Sequence, residues 1–353
     1  MKNLTFLLLF FSLISLLGCK ETESKNNDEE KIVDNHYFDY SNKDDKLSGG
    51  VKMIPITTSK GTFKVWTKRV GNNPTMKVLL LHGGPGATHE YFECFDSYFP
   101  NAGIEYYYYD QLESAYSDQP SDSSLWNIDR FVDEVEQVRK ALKLDKSNFY
   151  LLGHSWGGIL GLEYALKYQE NLKGLIISNM VPSIPDYIKY ANEVLGPQLD
   201  PEVLSEIRAL EASGDYANPR YGDLVFAHYY PEHVLRMPLE EWPDPVNRAF
   251  ANINNDMYVT MQGPSEFGIV GDAKLKNWDR SADLPKITVP TLTIGGAHDT
   301  MDPKQMEWMA TAVQQGRYLH CPNGSHMSMY DGQDTYFPGL IKFVKEVDSG
   351  SFK

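Results

Sequence analysis

The sequence predicts an α/β fold in which a doubly wound, mainly parallel sheet is flanked by helices and carries a mainly helical cap. Short apolar runs alternate with helical patterns along most of the 353 residues, as they do when parallel strands are buried between helices. The alternation stops between Val181 and about Pro285, where helical segments punctuated by prolines carry many aromatic residues and methionines. We therefore expect residues 47–181 and 286–353 to form the sheet domain and residues 182–285 to form the cap.

Eight segments are expected to be strands. The first two, Val51–Thr57 and Thr62–Arg69, are joined by a turn at Ser59-Lys60-Gly61. The other six are short and almost entirely apolar or aromatic, which is typical of buried parallel strands. These six are Val78–Leu81, Ile104–Tyr109, Phe149–Leu152, Gly174–Ser178, Thr291–Gly295 and Tyr318–His320. Among the helices between them, one repeats apolar residues every three or four positions as far as Leu142, and Ser123-Ser124 is expected to cap its start.

The N-terminus has the composition of an export signal. A positively charged start precedes an apolar run at Leu4–Leu17, which is shorter than the roughly 20 residues that span a bilayer as a helix. The run ends in Leu16-Leu17-Gly18-Cys19, which resembles a bacterial lipobox and implies cleavage after residue 18 with a lipid on Cys19. Residues 1–18 are thus a predicted lipoprotein signal peptide. Residues 19–46, which are polar and charged, are a predicted tether. The expected location is the periplasmic side or the surface of a bacterial membrane, with the lipid as the attachment.

Composition limits the classes of partner. The chain has 48 acidic and 33 basic residues, a formal charge of −15, which disfavours nucleic acid and is compatible with a cationic or zwitterionic substrate. The spacings H-E-x-x-H and C-x-x-C are missing from the sequence, so we expect no metal site. Besides Cys19 there are Cys94 and Cys321, which we expect to be buried free thiols. The sequence does not predict an oligomeric state.

Gly153-His154-Ser155-Trp156-Gly157 follows one predicted strand and precedes a helical stretch, which is the setting of a G-x-S-x-G nucleophile elbow. In such a turn the serine hydroxyl projects from the sheet, the glycines let neighbouring backbone pass, and the helix directs its positive end at developing negative charge. The alternative is an ordinary tight turn. We predict that Ser155 is a nucleophile.

A serine hydroxyl needs an imidazole to take its proton and a carboxylate to fix the tautomer of that imidazole. In this architecture the carboxylate and then the histidine follow the serine along the chain. Asp299 and His326 follow successive predicted strands, so they fall on the same sheet edge as Ser155. The rivals are Asp302 and Asp331 for the carboxylate and His298 and His320 for the base.

A glycine turn at Leu81-His82-Gly83-Gly84-Pro85-Gly86 follows another predicted strand and is similar to the oxyanion loops of esterases. An amide from Gly83 or Gly84 is expected to converge with the amide of Trp156 on the oxyanion. A dinucleotide-binding loop is excluded because His89 stands where that pattern needs glycine. We expect His82 and His154 to hold turns rather than to move protons.

Four motifs together resemble the prolyl iminopeptidase family of α/β-hydrolases. They are His82-Gly83-Gly84-Pro85-Gly86, Tyr109-Asp110-Gln111, Gly153-His154-Ser155-Trp156-Gly157-Gly158 and Gly263-Pro264-Ser265-Glu266-Phe267. The resemblance runs from about Gly50 to Val347. It implies release of an N-terminal residue, often proline, from short peptides, with no metal or organic cofactor. It places the triad at Ser155, Asp299 and His326, and it implies that Glu266 binds the free α-amine of the substrate.

Two positions depart from the family pattern. Thr300 stands where members often carry a second glutamate, and Leu112–Ser117 replaces a loop that commonly contains glycines and an arginine. One alternative is therefore an esterase, lactonase or amidase of the same fold acting on substrates without a free amine. Another is a lipoprotein that has kept the fold for binding without catalysis.

Overall fold

The computed structural model describes residues 35–353, and the folded unit begins at His36. Eight strands form one sheet in the order β1-β2-β4-β3-β5-β6-β7-β8. They are β1 (Val51–Thr58), β2 (Gly61–Val70), β3 (Lys77–Leu81), β4 (Glu105–Asp110), β5 (Phe149–His154), β6 (Gly174–Ser178), β7 (Thr291–Gly296) and β8 (Gly316–Cys321). The pairs β1–β2 and β2–β4 are antiparallel and the others are parallel. The predicted fold class is confirmed.

Helices lie on both faces of the sheet and between β6 and β7. In chain order they are α1 (Phe99–Ala102), α2 (Ile128–Ala141), α3 (Trp156–Tyr168), α4 (Ile184–Tyr190), α5 (Pro201–Ser213), α6 (Pro219–His228), α7 (Tyr230–His233), α8 (Asp244–Ala251), α9 (Asn255–Met261), α10 (Pro303–Ala312), α11 (Ser328–Asp331) and α12 (Gln333–Asp348). A π-helical turn spans Ala191–Leu195. The 3₁₀ segments are Asn35–Phe38, Lys46–Ser48, His89–Ser97, Ser123–Leu125, Gln169–Asn171, Gly196–Gln198, Leu239–Glu241 and Ser281–Lys286.

Alternation along the strands divides the core into two layers, because successive side chains of a strand point to opposite faces. Leu79 and Leu81 of β3 belong to the layer covered by α2, α3 and α10. Val78 and Leu80 belong to the layer covered by α12 and the 89–97 segment. Both faces of the central strands are therefore buried, which explains why their sequences are almost wholly apolar.

The start of α2 differs from the sequence prediction. Ser123-Ser124 lies in a separate 3₁₀ turn, and the helix begins at Ile128 behind Asn127, whose side chain accepts a hydrogen bond from the amide of Arg130 at 3.0 Å. Asparagine and serine both cap helices well, so composition alone could not choose between the two sites.

The cap consists of α4–α9 and is inserted between β6 and β7. Four of its six helices begin at local capping signals: the side chains of Ser183, Asp200, Asn218 and Asn254 accept hydrogen bonds from the first turns of α4, α5, α6 and α9. Apolar residues of α6 and α8, among them Leu224 and Val246, are continuous with the core layer of α12. The cap is therefore packed onto the sheet domain by apolar burial.

The folded unit starts earlier than the sequence predicted, at His36 rather than at residue 47. The Tyr37 hydroxyl donates to the carbonyl of Ile104 at 2.8 Å, and Asp45 pairs with Arg69 at 2.6 Å with both side chains nearly buried. These contacts join sequence-distant groups, so the polar composition of the segment concealed them. The predicted signal peptide at 1–18, Cys19 and the start of the predicted tether lie outside the described residues.

Three further observations concern residues 35–353. In that range no helix is long and apolar enough to cross a bilayer. The same range contains no cluster of three or more His, Cys, Asp or Glu side chains suited to a metal ion. Cys94 and Cys321 are free thiols, half-buried and buried respectively, and burial raises the pKa of Cys321 to about 12.

Candidate active site

Ser155 stands at the turn between β5 and α3 with φ 56° and ψ −126°, a conformation that a residue with a Cβ rarely adopts. The close approach of neighbouring backbone maintains it. A Cβ at Gly153 would overlap the carbonyl of Gly157, and one at Gly157 would overlap the carbonyl of Leu81. The glycines of the motif are thus required by packing, and the strained turn is that of a nucleophile elbow.

The structure brings Asp299 and His326 together. His326 Nδ1 lies 2.9 Å from Asp299 Oδ1, and both side chains are almost fully buried. Asp299 is held in turn by Asn179 Nδ2 at 2.7 Å and by the amide of Met301 at 3.0 Å. Burial lowers the pKa of His326, but the charge and hydrogen bond of Asp299 outweigh it, so the pKa is raised above its ordinary value. A proton on Nδ1 leaves Nε2 as the basic nitrogen.

The rival residues have other partners. Asp302 caps α10 through the amide of Lys304, and Asp331 accepts from the amides of Ser325 and Arg236. Asp331 therefore fixes the loop that carries His326. Of the other two candidates, His320 is exposed on β8, and His298 directly precedes Asp299 with its backbone carbonyl accepting from the ring of His233. The histidine that bonds to Asp299 is His326.

The loop after β3 contains the two glycine amides predicted as oxyanion donors, and the structure distinguishes between them. The amide of Gly83 donates to the Tyr91 hydroxyl at 2.6 Å, so it is already occupied. The amide of Gly84 is the remaining candidate in this loop. The amide of Trp156 is the first of α3, where the helix offers it no acceptor and the helix dipole is positive.

His82 and His154 are buried and neutral. Burial lowers the pKa of His82 to about 4 and that of His154 to about 3. His154 Nε2 lies 2.8 Å from the carbonyl of His326, and its Nδ1 lies 3.0 Å from the Tyr91 hydroxyl. These rings therefore hold the turns of the site in place, as the sequence predicted.

Glu266 is a buried carboxylate of the cap. Its Oε1 accepts a hydrogen bond from the Tyr258 hydroxyl at 2.6 Å, and its carbonyl accepts from the Tyr187 hydroxyl at 2.6 Å. Among residues 35–353 no Lys, Arg or His side chain forms an ion pair with this carboxylate, and the described hydrogen bond to it is the one from Tyr258 to Oε1. A buried carboxylate without a counter-ion is costly, and such a group is a candidate for binding a charged ligand.

Ser155, His326 and Glu266 line one cavity of about 240 Å³ between the cap and the sheet edge. Its remaining wall is mainly apolar and includes Val225, Phe226, Tyr230, Phe250 and Ile253. The cavity thus places a serine hydroxyl, a histidine and a carboxylate around an apolar space, the usual composition of a small-ligand site.

Thr300, which stands where family members often carry a second glutamate, does not line this cavity. Its hydroxyl lies 3.1 Å from His326 Nδ1 and 3.4 Å from Asp299 Oδ1. Asp302 lines a separate surface groove with Trp308. Asp302, two positions after Thr300, therefore does not replace the missing carboxylate beside Glu266.

Sequence reasoning missed Tyr91, which occupies one predicted oxyanion donor, and Tyr258, which holds Glu266. It also gave no role to Asn179 or to Gln111. The motif around Gln111 was a signal of importance, but the partners of these side chains come from distant parts of the chain.

Comparison with known proteins places this geometry in a family. A sequence model described as the alpha/beta hydrolase fold matches residues 77–333. The chain is similar to the proline iminopeptidase of Elizabethkingia meningoseptica, with 62% identity over 300 residues covering 85% of this chain and 100% of that protein. It belongs to the prolyl iminopeptidase family. The proline iminopeptidase of Flavobacterium johnsoniae is 60% identical over 296 residues, covering 84% of this chain and 98% of that protein.

The likeness extends to three dimensions. A crystal structure of proline iminopeptidase from Mycobacterium smegmatis has a TM-score of 0.75 and 26% identity, and covers 85% of this chain and 99% of that chain. Matches of this extent leave too few residues unaligned to exclude the cap. The resemblance to the prolyl iminopeptidase family therefore includes at least part of the cap.

Proposed function

We propose that this protein is a serine aminopeptidase that releases N-terminal proline from short peptides. The observation that carries the proposal is the unpaired carboxylate of Glu266 in the same cavity as Ser155 and His326. An N-terminal ammonium can pair with that carboxylate while the first peptide bond meets the serine. The name of the relatives, proline iminopeptidase, supports proline as the first residue.

In the proposed reaction, His326 Nε2 takes the proton of Ser155 as the hydroxyl oxygen attacks the carbonyl of the first peptide bond. Asp299 stabilises the imidazolium that forms. The amides of Gly84 and Trp156 stabilise the oxyanion of the tetrahedral intermediate. His326 then protonates the leaving amine. In the second half of the reaction His326 takes a proton from water as the water attacks the acyl-enzyme, and it returns that proton to the Ser155 oxygen as the ester bond breaks.

Glu266 gives this chemistry its exopeptidase character. A hydrogen bond to a charged partner contributes about 1.5–3 kcal/mol, so a free amine is favoured over a blocked one by about ten- to a hundredfold. The Tyr258 hydroxyl fixes Oε1 and leaves Oε2 for the ammonium. The pyrrolidine ring of proline is apolar and suits the wall that contains Phe226 and Phe250.

The test is hydrolysis of chromogenic amides of proline, alanine and N-acetyl-proline beside a short neutral ester. We expect turnover of the proline amide and loss of that turnover on acetylation. If only the ester is hydrolysed, the protein is an esterase of the same fold. If no substrate is hydrolysed and a serine-directed phosphonate does not react with Ser155, the fold has been kept for binding.

We also propose that the enzyme is an exported lipoprotein held at a bacterial membrane by lipid on Cys19. The support is the sequence Leu16-Leu17-Gly18-Cys19 after a short apolar run. In cells expressing the full chain, the protein should partition with membranes and incorporate labelled fatty acid. Cys19→Ala should abolish the labelling. Equal labelling of Cys19→Ala and wild type would contradict lipidation at this residue.

A further inference from the structure

The side chain of Gln111 connects the two halves of the oxyanion hole. Gln111 follows β4 and is buried, with 1% of its surface exposed. Its Nε2 donates to the carbonyl of His82 at 3.0 Å, on the loop after β3. Its Oε1 accepts from the indole Nε1 of Trp156 at 2.9 Å, at the start of α3. One amide group therefore contacts both elements that carry the candidate oxyanion donors.

The backbone of Gln111 sets the tautomer of His82. The amide of Gln111 donates to His82 Nε2 at 3.1 Å, so that nitrogen carries no proton. A neutral imidazole holds one proton, which must then be on Nδ1. Nδ1 lies 3.0 Å from the carbonyl of Gly83 and donates to it. Burial lowers the pKa of His82 to about 4, which keeps the ring in this neutral form at ordinary pH.

Holding the carbonyl of Gly83 also orients the amide of Gly84, because the two groups belong to one planar peptide unit. This peptide is trans, so its N–H and C=O point in opposite directions. The amide of Gly83 cannot replace that of Gly84, since it donates to Tyr91. The direction of the Gly84 donor thus depends on His82. Gln111 holds His82 at two points, the ring through its backbone amide and the carbonyl through its side chain.

We propose that Gln111 is a positioning residue that aligns both oxyanion donors, the Gly84 amide through His82 and the Trp156 amide through its indole. It does not line the cavity that contains Ser155 and His326. The proposal rests on the proposed function only in that Ser155 attacks a carbonyl and forms an anionic tetrahedral intermediate. Preorganised donors stabilise that intermediate and contribute little to ground-state binding, so their misalignment lowers kcat rather than raising KM.

The test uses Gln111→Met, which keeps the volume of the side chain and removes its hydrogen bonds to the His82 carbonyl and the Trp156 indole. The backbone amide that bonds to His82 Nε2 stays, so the variant tests the side chain alone. We measure kcat and KM on a neutral ester and a proline amide, and the inhibition constant of a small alkyl boronic acid, which forms a tetrahedral anionic adduct with serine. Since loss of one oxyanion donor lowers kcat about 10²–10³-fold, misalignment should lower kcat about 10- to 100-fold. KM should stay within about threefold, and the inhibition constant should rise by the same factor as kcat falls.

Two further variants separate positioning from folding. His82→Asn keeps a donor for the Gly83 carbonyl and should retain most of the activity, whereas His82→Leu should lose it as Gln111→Met does. Gln137→Met is the matched control, because the side chain of the partly exposed Gln137 also makes two hydrogen bonds, both to the backbone of Thr57, and does not line the cavity. It should leave kcat and boronic acid affinity unchanged.

The proposal is overturned if folded Gln111→Met binds the boronic acid and turns over the ester as the wild type does. If Gln111→Met does not fold, equal activity of His82→Asn and His82→Leu overturns it. Failure of the proposed function gives a different pattern: the wild type hydrolyses the ester but not the proline amide. The effect of Gln111→Met on the ester and the boronic acid is still measurable in that case.

Discussion

Replacing Glu266 with glutamine tests amine recognition with almost no change of shape. The described hydrogen bond to its carboxylate is the one from Tyr258 to Oε1 at 2.6 Å. In Glu266→Gln the carbonyl oxygen can keep the bond from Tyr258, which turns the amide nitrogen toward the cavity. The substrate ammonium then loses a charged acceptor and meets a donor. The loss of a charge-assisted hydrogen bond corresponds to about 1.5–3 kcal/mol, or about ten- to a hundredfold in kcat/KM.

The assay compares kcat/KM for a proline amide and a short neutral ester in wild type, Glu266→Gln and Glu211→Gln. Glu211 is the matched control, because it is also a cap carboxylate that accepts from a tyrosine, Tyr221, but it pairs with Arg208 and does not line the cavity. We expect the loss for Glu266→Gln on the amide alone. Thermal stability should be unchanged or higher, since a buried charge is removed. Equal losses on the ester and the amide would refute amine recognition by Glu266.

Three other perturbations follow from the site and the cap. Ser155→Ala and Ser155→Gly should both lower kcat by about 10⁴-fold or more. The thermal midpoint of Ser155→Gly should be about 2 °C or more above that of Ser155→Ala, because glycine relieves the strained turn. A midpoint below that of Ser155→Ala would contradict the strain. Because the pKa of His326 is raised and its protonated form cannot accept a proton, kcat/KM should fall as pH decreases through a limb above about 6.5. Asp299→Asn should move that limb to lower pH and reduce kcat; an unshifted limb in this variant would contradict the assignment. Arg248 of α8 pairs with Glu90 of the sheet domain, and Arg248→Met should destabilise the protein by about 1–2 kcal/mol, less at high salt, as measured by urea unfolding. An unfolding midpoint equal to that of wild type at low salt would show that the pair does not anchor the cap.

Local patterns sufficed to predict the fold and the placement of Ser155, Asp299 and His326. Buried parallel strands have recognisable apolar sequences, and their carboxyl ends share one edge, so residues that follow successive strands are brought together. The helical cap was predictable because the strand pattern stops there. These inferences depend on neighbours in sequence or on the general rule for parallel sheets.

The hydrogen-bond partners inside the site were not predictable from the sequence. Gly83 and Gly84 are equivalent in the motif, and only the hydroxyl of Tyr91 distinguishes their amides. The contacts of Gln111 join three separate strand ends, and such pairings depend on the folded arrangement. For the same reason Tyr37 was assigned to a polar tether, although its hydroxyl bonds to a carbonyl at the edge of β4.

The central claim is that Ser155 releases proline from an unblocked N-terminus. The most direct measurement is the rate at which free proline appears from a short peptide that begins with proline, with and without N-acetylation, in wild type and Ser155→Ala. We predict release from the unblocked peptide by the wild type, and none from the acetylated peptide or with Ser155→Ala. Undiminished release with Ser155→Ala, or equal cleavage of the acetylated peptide, would contradict the account.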